Sequence, residues 1–177
     1  DLPSVKRACR RKRVRALYTE IASNPDMVVA DIPQLAEIAH ARGIPLIVDN
    51  TFLPLAVRPL ALGADVVVHS LTKYVSGTSK VMAGGVVGTA DFVRSLMHPT
   101  TGLLMLLGPV LAPEAADKLR EHLPSLPLRF AEASKRTLAL AMALQAQGFS
   151  VCYPGLLTSS GCGLLHRMSA ESFGRSY

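Results

Sequence analysis

The sequence lacks tryptophan, and only 5% of its residues are aromatic. It also lacks a long apolar run, because the longest candidate, residues 103–112, is short and is interrupted by Gly108 and Pro109. A run of this length does not cross a bilayer, so no membrane partner is expected. The N-terminus is charged and no apolar stretch precedes a cleavage site, which argues against a signal peptide.

Cysteine is scarce, with three residues at Cys9, Cys152 and Cys162. Their number is odd and their spacing is not that of metal ligands, and the five histidines are also scattered. No metal site is therefore expected. Scattered, odd-numbered cysteines are typical of a reducing compartment, and we expect a cytoplasmic protein.

Positive charge is concentrated near the N-terminus of the chain. Residues 6–15 contain seven of the nineteen basic side chains, whereas the chain from residue 16 onward is neutral. The basic side chains are Lys6, Arg7, Arg10, Arg11, Lys12, Arg13 and Arg15. Such a cluster binds nucleic acid in some proteins, but here no aromatic residues interleave to stack on bases. We therefore favour a solvated helix or loop edge over a nucleic-acid interface.

Apolar segments alternate with helical patterns, which predicts a doubly wound or related α/β domain. Asp31 has the position of a helix N-cap with Gln34 at the capping-box position, and Gly43 ends that helix. The continuous apolar segment 44–48 is typical of a strand buried on both faces. Further strands are predicted at 15–19, 65–69 and 84–88, and further helices at 91–97, 113–122 and 128–147.

A change of pattern after Gly148 predicts a domain boundary. The long helix predicted at 128–147 ends there, and Val151 begins what we expect to be a strand of another domain. The predicted division is residues 1–148 in a large domain and residues 149–177 in the incomplete start of a C-terminal domain.

Chemically useful side chains follow two predicted strands at the edge where parallel strands end. Asp49 closes one strand, and Lys73 follows the next with Ser70 and Thr72 just before it. If that segment is extended, the two hydroxyls share one face. Open α/β sheets hold ligands at this edge. A lysine forms a Schiff base with an aldehyde, hydroxyls hold phosphate and a carboxylate pairs with a ring nitrogen, so the set predicts a pyridoxal phosphate site.

Each of these residues also has a purely structural interpretation. An Asp-Asn-Thr sequence, as at Asp49, is typical of a carboxylate that caps its own turn. A lone lysine is ordinarily a surface residue, but Lys73 follows a buried strand, which predicts a partly desolvated amine that favours the neutral nucleophile. Asn24, which precedes Pro25, is either a turn residue or a hydrogen-bond partner of the cofactor's phenolic oxygen.

Two competing motifs are not supported by their surroundings. Residues 70–73 match S-x-x-K of serine β-lactamases, but the S-D-N and K-T-G elements that accompany it are absent from the sequence. The serine of that motif opens a helix, whereas Ser70 follows a predicted strand. The glycines at 84–88 do not form the dinucleotide-binding G-x-G-x-x-G pattern.

A series of short motifs agrees in order and spacing with one known group of enzymes. The motifs are Tyr18-Thr19-Glu20, Ser23-Asn24-Pro25, Val48-Asp49-Asn50-Thr51-Phe52, Ser70-Leu71-Thr72-Lys73-Tyr74, Ala83-Gly84-Gly85, Leu126-Pro127-Leu128-Arg129 and Tyr153-Pro154-Gly155-Leu156. Together they resemble the pyridoxal-phosphate enzymes of cysteine and methionine metabolism, the trans-sulfuration group. The segments at 104–109 and 113–128 most resemble the methionine γ-lyases within that group.

The resemblance implies a fold, a set of residue roles and an assembly. The fold is the type I fold of pyridoxal-phosphate-dependent transferases, with a mostly parallel sheet in the large domain and a small C-terminal α/β domain. Lys73 is implied as the Schiff-base lysine and proton shuttle, Asp49 as the partner of the ring nitrogen, and Asn24 as a neighbour of the ring oxygen. Ser70 and Thr72 are implied as phosphate contacts. A homotetramer with active sites shared between subunits is also implied.

The activity implied is γ-elimination of methionine, a small amino-acid substrate, to methanethiol, 2-oxobutanoate and ammonia. Two alternatives stay open from the sequence. One is a sister reaction, as in cystathionine γ-lyase, cystathionine γ-synthase or O-acylhomoserine sulfhydrylase. The other is an inactive truncated paralogue, because members of the group are longer than 177 residues and we expect this chain to be a fragment.

Overall fold

The computed structural model describes residues 1–11 and 13–174. Within them lie four strands, β1 (Leu17–Glu20), β2 (Leu46–Asp49), β3 (Val66–Ser70) and β4 (Gly84–Gly88). The α-helices are α1 (Leu2–Cys9), α2 (Ile32–His40), α3 (Ala90–Leu96), α4 (Leu103–Leu107), α5 (Pro113–His122), α6 (Leu126–Ala146) and α7 (Cys162–Ser172). Among the described residues, no helix combines the length and the apolar character needed to cross a bilayer.

The four strands form one mixed sheet in the order β1-β2-β3-β4. The first three strands are parallel, and β4 returns antiparallel to β3. Because β1, β2 and β3 run in the same direction, their carboxyl ends lie at one edge of the sheet. Glu20, Asp49 and Ser70 are the last residues of these strands, so the fold brings them to a common edge.

The main core lies on one face of this sheet. Leu46 and Val48 are fully buried there, together with Val67, against the apolar side of α2. Side chains alternate along a strand, so Asp49 and Ser70 point to the opposite face from this core. Tyr18, which pairs with Ile47 in the register of β1 and β2, is 58% exposed on that opposite face.

The N-terminus of α2 is capped as the sequence predicts. The Asp31 carboxylate accepts a hydrogen bond from the backbone N–H of Gln34 at 3.2 Å. The Gln34 side chain also donates to Asp31 at 2.6 Å, rather than reaching back to its backbone as in a regular capping box. Arg167 of α7 forms an ion pair with the same carboxylate at 3.3 Å, which joins the C-terminal helix to this cap.

The basic N-terminal segment forms a solvated edge. Helix α1 begins at an N-cap in which Asp1 accepts from the backbone N–H of Ser4, and its Cys9 is buried. Lys6 and Arg7 are exposed, whereas Lys12 lies outside the described residues.

The strand predicted at Val151 is wrong. Residues 151–153 have no regular structure, because none of the strands in the described part of the chain pairs with them and Pro154 follows at once. The chain instead forms α7, whose Met168 is fully buried in the same core as Ile32 and Leu46. The division into domains at residue 148 stays a prediction, and its last residues, 175–177, lie outside the described part of the chain.

Candidate active site

A cavity of about 690 Å³ opens at the carboxyl edge of the parallel strands. Four of the five predicted site residues line it, and they come from the ends of β2 and β3, from one loop and from the turn that follows β3. The polar side chains around it include Glu20, Asn24, Asp49, Thr51, Ser70 and Lys73. The structure therefore gathers polar residues from positions 20 to 73 of the sequence around one space.

Lys73 lies in a π-helical turn, Leu71–Val75, that follows β3 without a break and is kinked at Lys73, whose φ of −87° and ψ of −117° are not helical. The turn is held by backbone hydrogen bonds from the N–H of Ser76 to the Leu71 carbonyl and from the N–H of Gly77 to the Lys73 carbonyl, each 2.9 Å. The Lys73 side chain is exposed. This exposure contradicts the predicted partial desolvation of its amine in this chain.

Thr72 does not line the cavity. Its hydroxyl accepts from the backbone N–H of Ala83 at 3.0 Å and donates to the Ala83 carbonyl at 3.3 Å. The prediction that Ser70 and Thr72 share one face of an extended segment is wrong, because the chain coils after Ser70 and the two-residue alternation no longer applies. Contact of Thr72 with a phosphate stays a prediction.

Asp49 lies half-buried at the end of β2 and has two hydrogen-bond partners. One carboxylate oxygen accepts from the backbone N–H of Thr51 at 2.9 Å, so the turn-capping interpretation holds. The other accepts from the Tyr18 hydroxyl at 3.2 Å. Burial, followed by the Asp49 charge, raises the pKa of Tyr18, because phenolate beside a carboxylate is disfavoured. Each oxygen keeps lone-pair capacity, so the carboxylate can also pair with a ring nitrogen.

The loop that carries Asn24 is held by a residue the sequence reasoning missed. Glu20 accepts a hydrogen bond from the backbone N–H of Asn24 at 3.1 Å through its carboxylate. Glu20 pairs with Asp49 in the register of β1 and β2, so the two acids end neighbouring strands. The signal that would have found Glu20 was therefore the same one that found Asp49, an acid at the end of a strand.

Thr51 and Arg129 were also missed as residues of this site. The Thr51 hydroxyl accepts from the backbone N–H of Ser70 at 2.8 Å and so joins the ends of β2 and β3. Arg129 reaches the cavity from α6, more than fifty residues beyond Lys73. Nothing in the local sequence of α6 marks this arginine as part of the site.

The side chains of the cavity fit pyridoxal phosphate chemically. An amine suits its aldehyde, a carboxylate suits its protonated ring nitrogen, and a hydroxyl suits its phosphate. Lys73, Asp49 and Ser70 supply these three groups in one cavity, with Phe52 and Tyr74 as aromatic neighbours. No group of three or more His, Cys, Asp or Glu side chains that could hold a metal occurs among the described residues.

The sequence profile of the Cys/Met metabolism PLP-dependent enzymes matches residues 1–174 of this chain. The chain belongs to this family. Pyridoxal phosphate is the family's cofactor, as the cavity's amine and carboxylate predicted. The family's enzymes are lyases and transferases of sulfur amino-acid metabolism, which confirms the predicted class.

Comparisons with individual proteins agree with the family. The chain is 41% identical to methionine gamma-lyase of Arabidopsis thaliana over 98% of its own length and 40% of that protein. It is 38% identical to O-succinylhomoserine sulfhydrylase of Pseudomonas aeruginosa over 98% of its length and 42% of that protein. The chain thus spans about two fifths of the curated relatives it matches.

A solved structure confirms the fold class. The structure of cystathionine gamma-lyase from Lactobacillus plantarum, complexed with L-serine, matches with a TM-score of 0.84 and 28% sequence identity. The match covers 95% of this chain and 44% of the other. The chain thus has the predicted type I fold of pyridoxal-phosphate-dependent transferases.

The half-buried His69 of β3 predicts a pH dependence of stability. Burial lowers the pKa of its imidazole below the ordinary 6.5, against smaller raising effects of the Asp49 charge and the Asn50 backbone. The unfolded chain then binds the proton more tightly than the folded chain. Titration of His69 therefore does not reduce the free energy of unfolding above about pH 6.5, and it lowers that free energy as the pH decreases below this value. We expect His69→Gln to reduce this loss in urea unfolding between about pH 8 and about pH 5.

A matched control for this measurement is His98→Gln, since His98 is exposed after α3. This variant shows whether the effect of His69→Gln is specific to the half-buried position. Equal slopes for His69→Gln and the unsubstituted chain would show that His69 titrates alike in the folded and unfolded states.

Proposed function

We propose that the protein to which this chain belongs is a carbon–sulfur lyase that eliminates the γ-substituent of methionine. The products are methanethiol, 2-oxobutanoate and ammonia. The observation that carries the proposal is the convergence of Asp49 and Lys73 on one cavity. The 41% identity to a methionine gamma-lyase over nearly the whole chain supports the choice of substrate.

Each residue of the cavity has a proposed task. Bound pyridoxal phosphate supplies an electron sink for negative charge at the substrate α-carbon. Lys73 holds the cofactor through its amine and, when free, moves the proton of the α-carbon. The Asp49 carboxylate keeps the ring nitrogen protonated, because a negative charge at contact distance favours the cationic form. Ser70 binds phosphate oxygens, and Asn24 lies beside the phenolic oxygen. Thr72, which lies outside the cavity, is proposed as a further phosphate contact.

A second candidate is a sister reaction on the same scaffold. It is favoured by the 38% identity to an O-succinylhomoserine sulfhydrylase and by the similarity to a cystathionine gamma-lyase structure. The described cavity provides the groups that all these reactions share, namely an amine, an acid and a hydroxyl. Because these groups are common to all the reactions, they do not distinguish the candidates. The choice between the candidates depends on the side chains that contact the γ-substituent.

Release of 2-oxobutanoate tests the proposal. The protein is incubated with pyridoxal phosphate and then with methionine, cystathionine or an O-acylhomoserine, the last with and without a thiol. Fastest release from methionine, together with free methanethiol, supports the proposal. Faster release from cystathionine, or product formation that requires the thiol, assigns the sister reaction instead. Failure to take up the cofactor identifies an inactive paralogue.

We also propose a homotetramer with active sites shared between subunits, and a cytoplasmic location. The open side of the cavity, where Lys73 and Asn24 are exposed, leaves room for groups from outside this chain. The three free cysteines favour a reducing compartment. Light scattering of the purified protein measures the assembly directly.

A further inference from the structure

Arg129 lines the cavity beside Lys73, yet its hydrogen bonds are already used within the protein. Its Nη1 donates to the Tyr74 carbonyl at 2.7 Å, and its Nη2 donates to the carbonyls of Val75 at 3.0 Å and His122 at 3.2 Å. Its Nε donates to the Ser125 hydroxyl at 3.0 Å. A guanidinium has five N–H groups, so these four hydrogen bonds leave one donor.

These four hydrogen bonds join three elements at one point. Tyr74 and Val75 belong to the π-helical turn of Lys73, His122 ends α5, and Ser125 precedes α6. The two carbonyls of the turn come directly after Lys73 in the chain. A planar fork that binds both carbonyls fixes the direction in which the turn leaves β3, and with it the starting point of the lysine side chain.

The packing around the guanidinium supports a fixed geometry. Gly77 lies against it, and a Cβ at that position would overlap the guanidinium of Arg129. Gly77 also has a φ of 67°, so glycine is required there both for its backbone conformation and for the space. Tyr74 packs edge-on against Phe130, the next residue of α6, with ring centroids 5.7 Å apart.

The charged and polar partners of Arg129 favour a positioning role over direct binding of a ligand. No ion pair joins Arg129 to a carboxylate within the described ranges. An arginine that binds a substrate carboxylate or a phosphate presents two parallel N–H groups to it. Arg129 has one N–H left and therefore cannot form that bidentate contact without releasing one of its four present partners.

We propose that Arg129 is a positioning residue. From the beginning of α6, it holds the π-helical turn Leu71–Val75 that carries Lys73. The consequence for the proposed function, on which this inference rests in part, is that the fork geometry of Arg129 sets the reactivity of the lysine. Its positive charge alone is not sufficient. A lysine in its place keeps the charge but cannot bind three carbonyls and a hydroxyl in one plane.

Two substitutions, Arg129→Lys and Arg129→Met, test this proposal with two readouts. The first readout is hydrogen exchange of the Ser76 and Gly77 amides, which needs no cofactor. The second is the rate at which pyridoxal phosphate becomes attached to Lys73, followed by borohydride reduction and peptide mass spectrometry. We expect both variants to lose protection at these amides and to attach the cofactor about 10- to 100-fold more slowly, as for a misplaced reactive group.

The matched control is Arg136→Met in the same helix. Arg136 is 77% exposed and contacts Glu132, so its loss should leave both readouts unchanged. Attachment at the unsubstituted rate in Arg129→Lys would overturn the proposal, because charge would then suffice. Unchanged amide protection in Arg129→Met would overturn it as well. If the unsubstituted protein takes up no cofactor, the proposed function fails while the exchange readout still decides the role of Arg129.

A milder substitution covers the case in which Arg129 variants unfold. Ser125→Ala removes one acceptor of the guanidinium and keeps the arginine. Amides of α2 and β2 report whether the rest of the chain stays folded. A selective loss of protection at Ser76 and Gly77 in Ser125→Ala supports the proposal, and a profile equal to that of the unsubstituted chain overturns it.

Discussion

Lys73→Ala is expected to abolish covalent attachment of pyridoxal phosphate to this chain. Lys73 is the amine that lines the cavity with Asp49 and Ser70, so its loss removes the group that reacts with the aldehyde. Borohydride reduction followed by peptide mass spectrometry should find the label on residue 73 of the unsubstituted protein and no label in the variant. Exchange of the methionine α-proton should also slow by about 10³-fold or more, the usual size of a general-base contribution.

Lys80→Ala is the matched control for this experiment. Lys80 is exposed seven residues further along and does not line the cavity. Its replacement should leave the label and the proton exchange unchanged. A label that survives Lys73→Ala, or one that disappears in Lys80→Ala, would contradict the assignment of Lys73.

Asp49→Asn is expected to slow α-proton exchange while leaving the label on Lys73 in place. The amide keeps the shape of the side chain and can still accept from the Thr51 N–H, but it removes the negative charge. A charge pair at contact distance is worth roughly 5 kcal/mol at an effective dielectric of 20, before desolvation. Because Asp49 is only half-buried, we discount this to a net loss of about 100-fold in rate, or roughly 3 kcal/mol.

The phenol of Tyr18 provides a second readout of Asp49. The Asp49 charge contributes to the raised pKa of Tyr18, so the phenol should ionise at lower pH in Asp49→Asn. Asp117→Asn, an exposed substitution in α5, serves as the control for both measurements. Unchanged proton exchange together with a shifted Tyr18 titration would mean that Asp49 has a structural role only.

Several elements follow from local sequence because their determinants are local. The helix at 113–122 and the strand at 84–88 lie at the predicted residues, and the cap of α2 forms at Asp31. A capping side chain, a proline in a first turn and an apolar run act over a few residues. The site residues Asp49, Ser70 and Lys73 could be found in the same way, because the end of a parallel strand marks the ligand edge.

Other features required the folded chain. The strand predicted at Val151 was wrong because a strand is stable only where a neighbour completes its hydrogen bonds, and none of the four described strands pairs with it. Thr72 was expected on the same face as Ser70, but the π-helical turn directs its hydroxyl to Ala83. The contact of Arg129 with the Lys73 turn has no local signal, because its partners there, Tyr74 and Val75, lie more than fifty residues away.

The sequence by itself determined the cofactor chemistry of this protein, since an amine, an acid and a hydroxyl at two strand ends restrict what can bind there. Only the tertiary structure decided how the turn that carries the amine is joined to α6 and how exposed the lysine is. The physical reason is the range of the interactions involved. Strand ends and caps depend on neighbours in sequence, whereas the Arg129 contacts with the Lys73 turn depend on α6 packing against a segment far away in the chain.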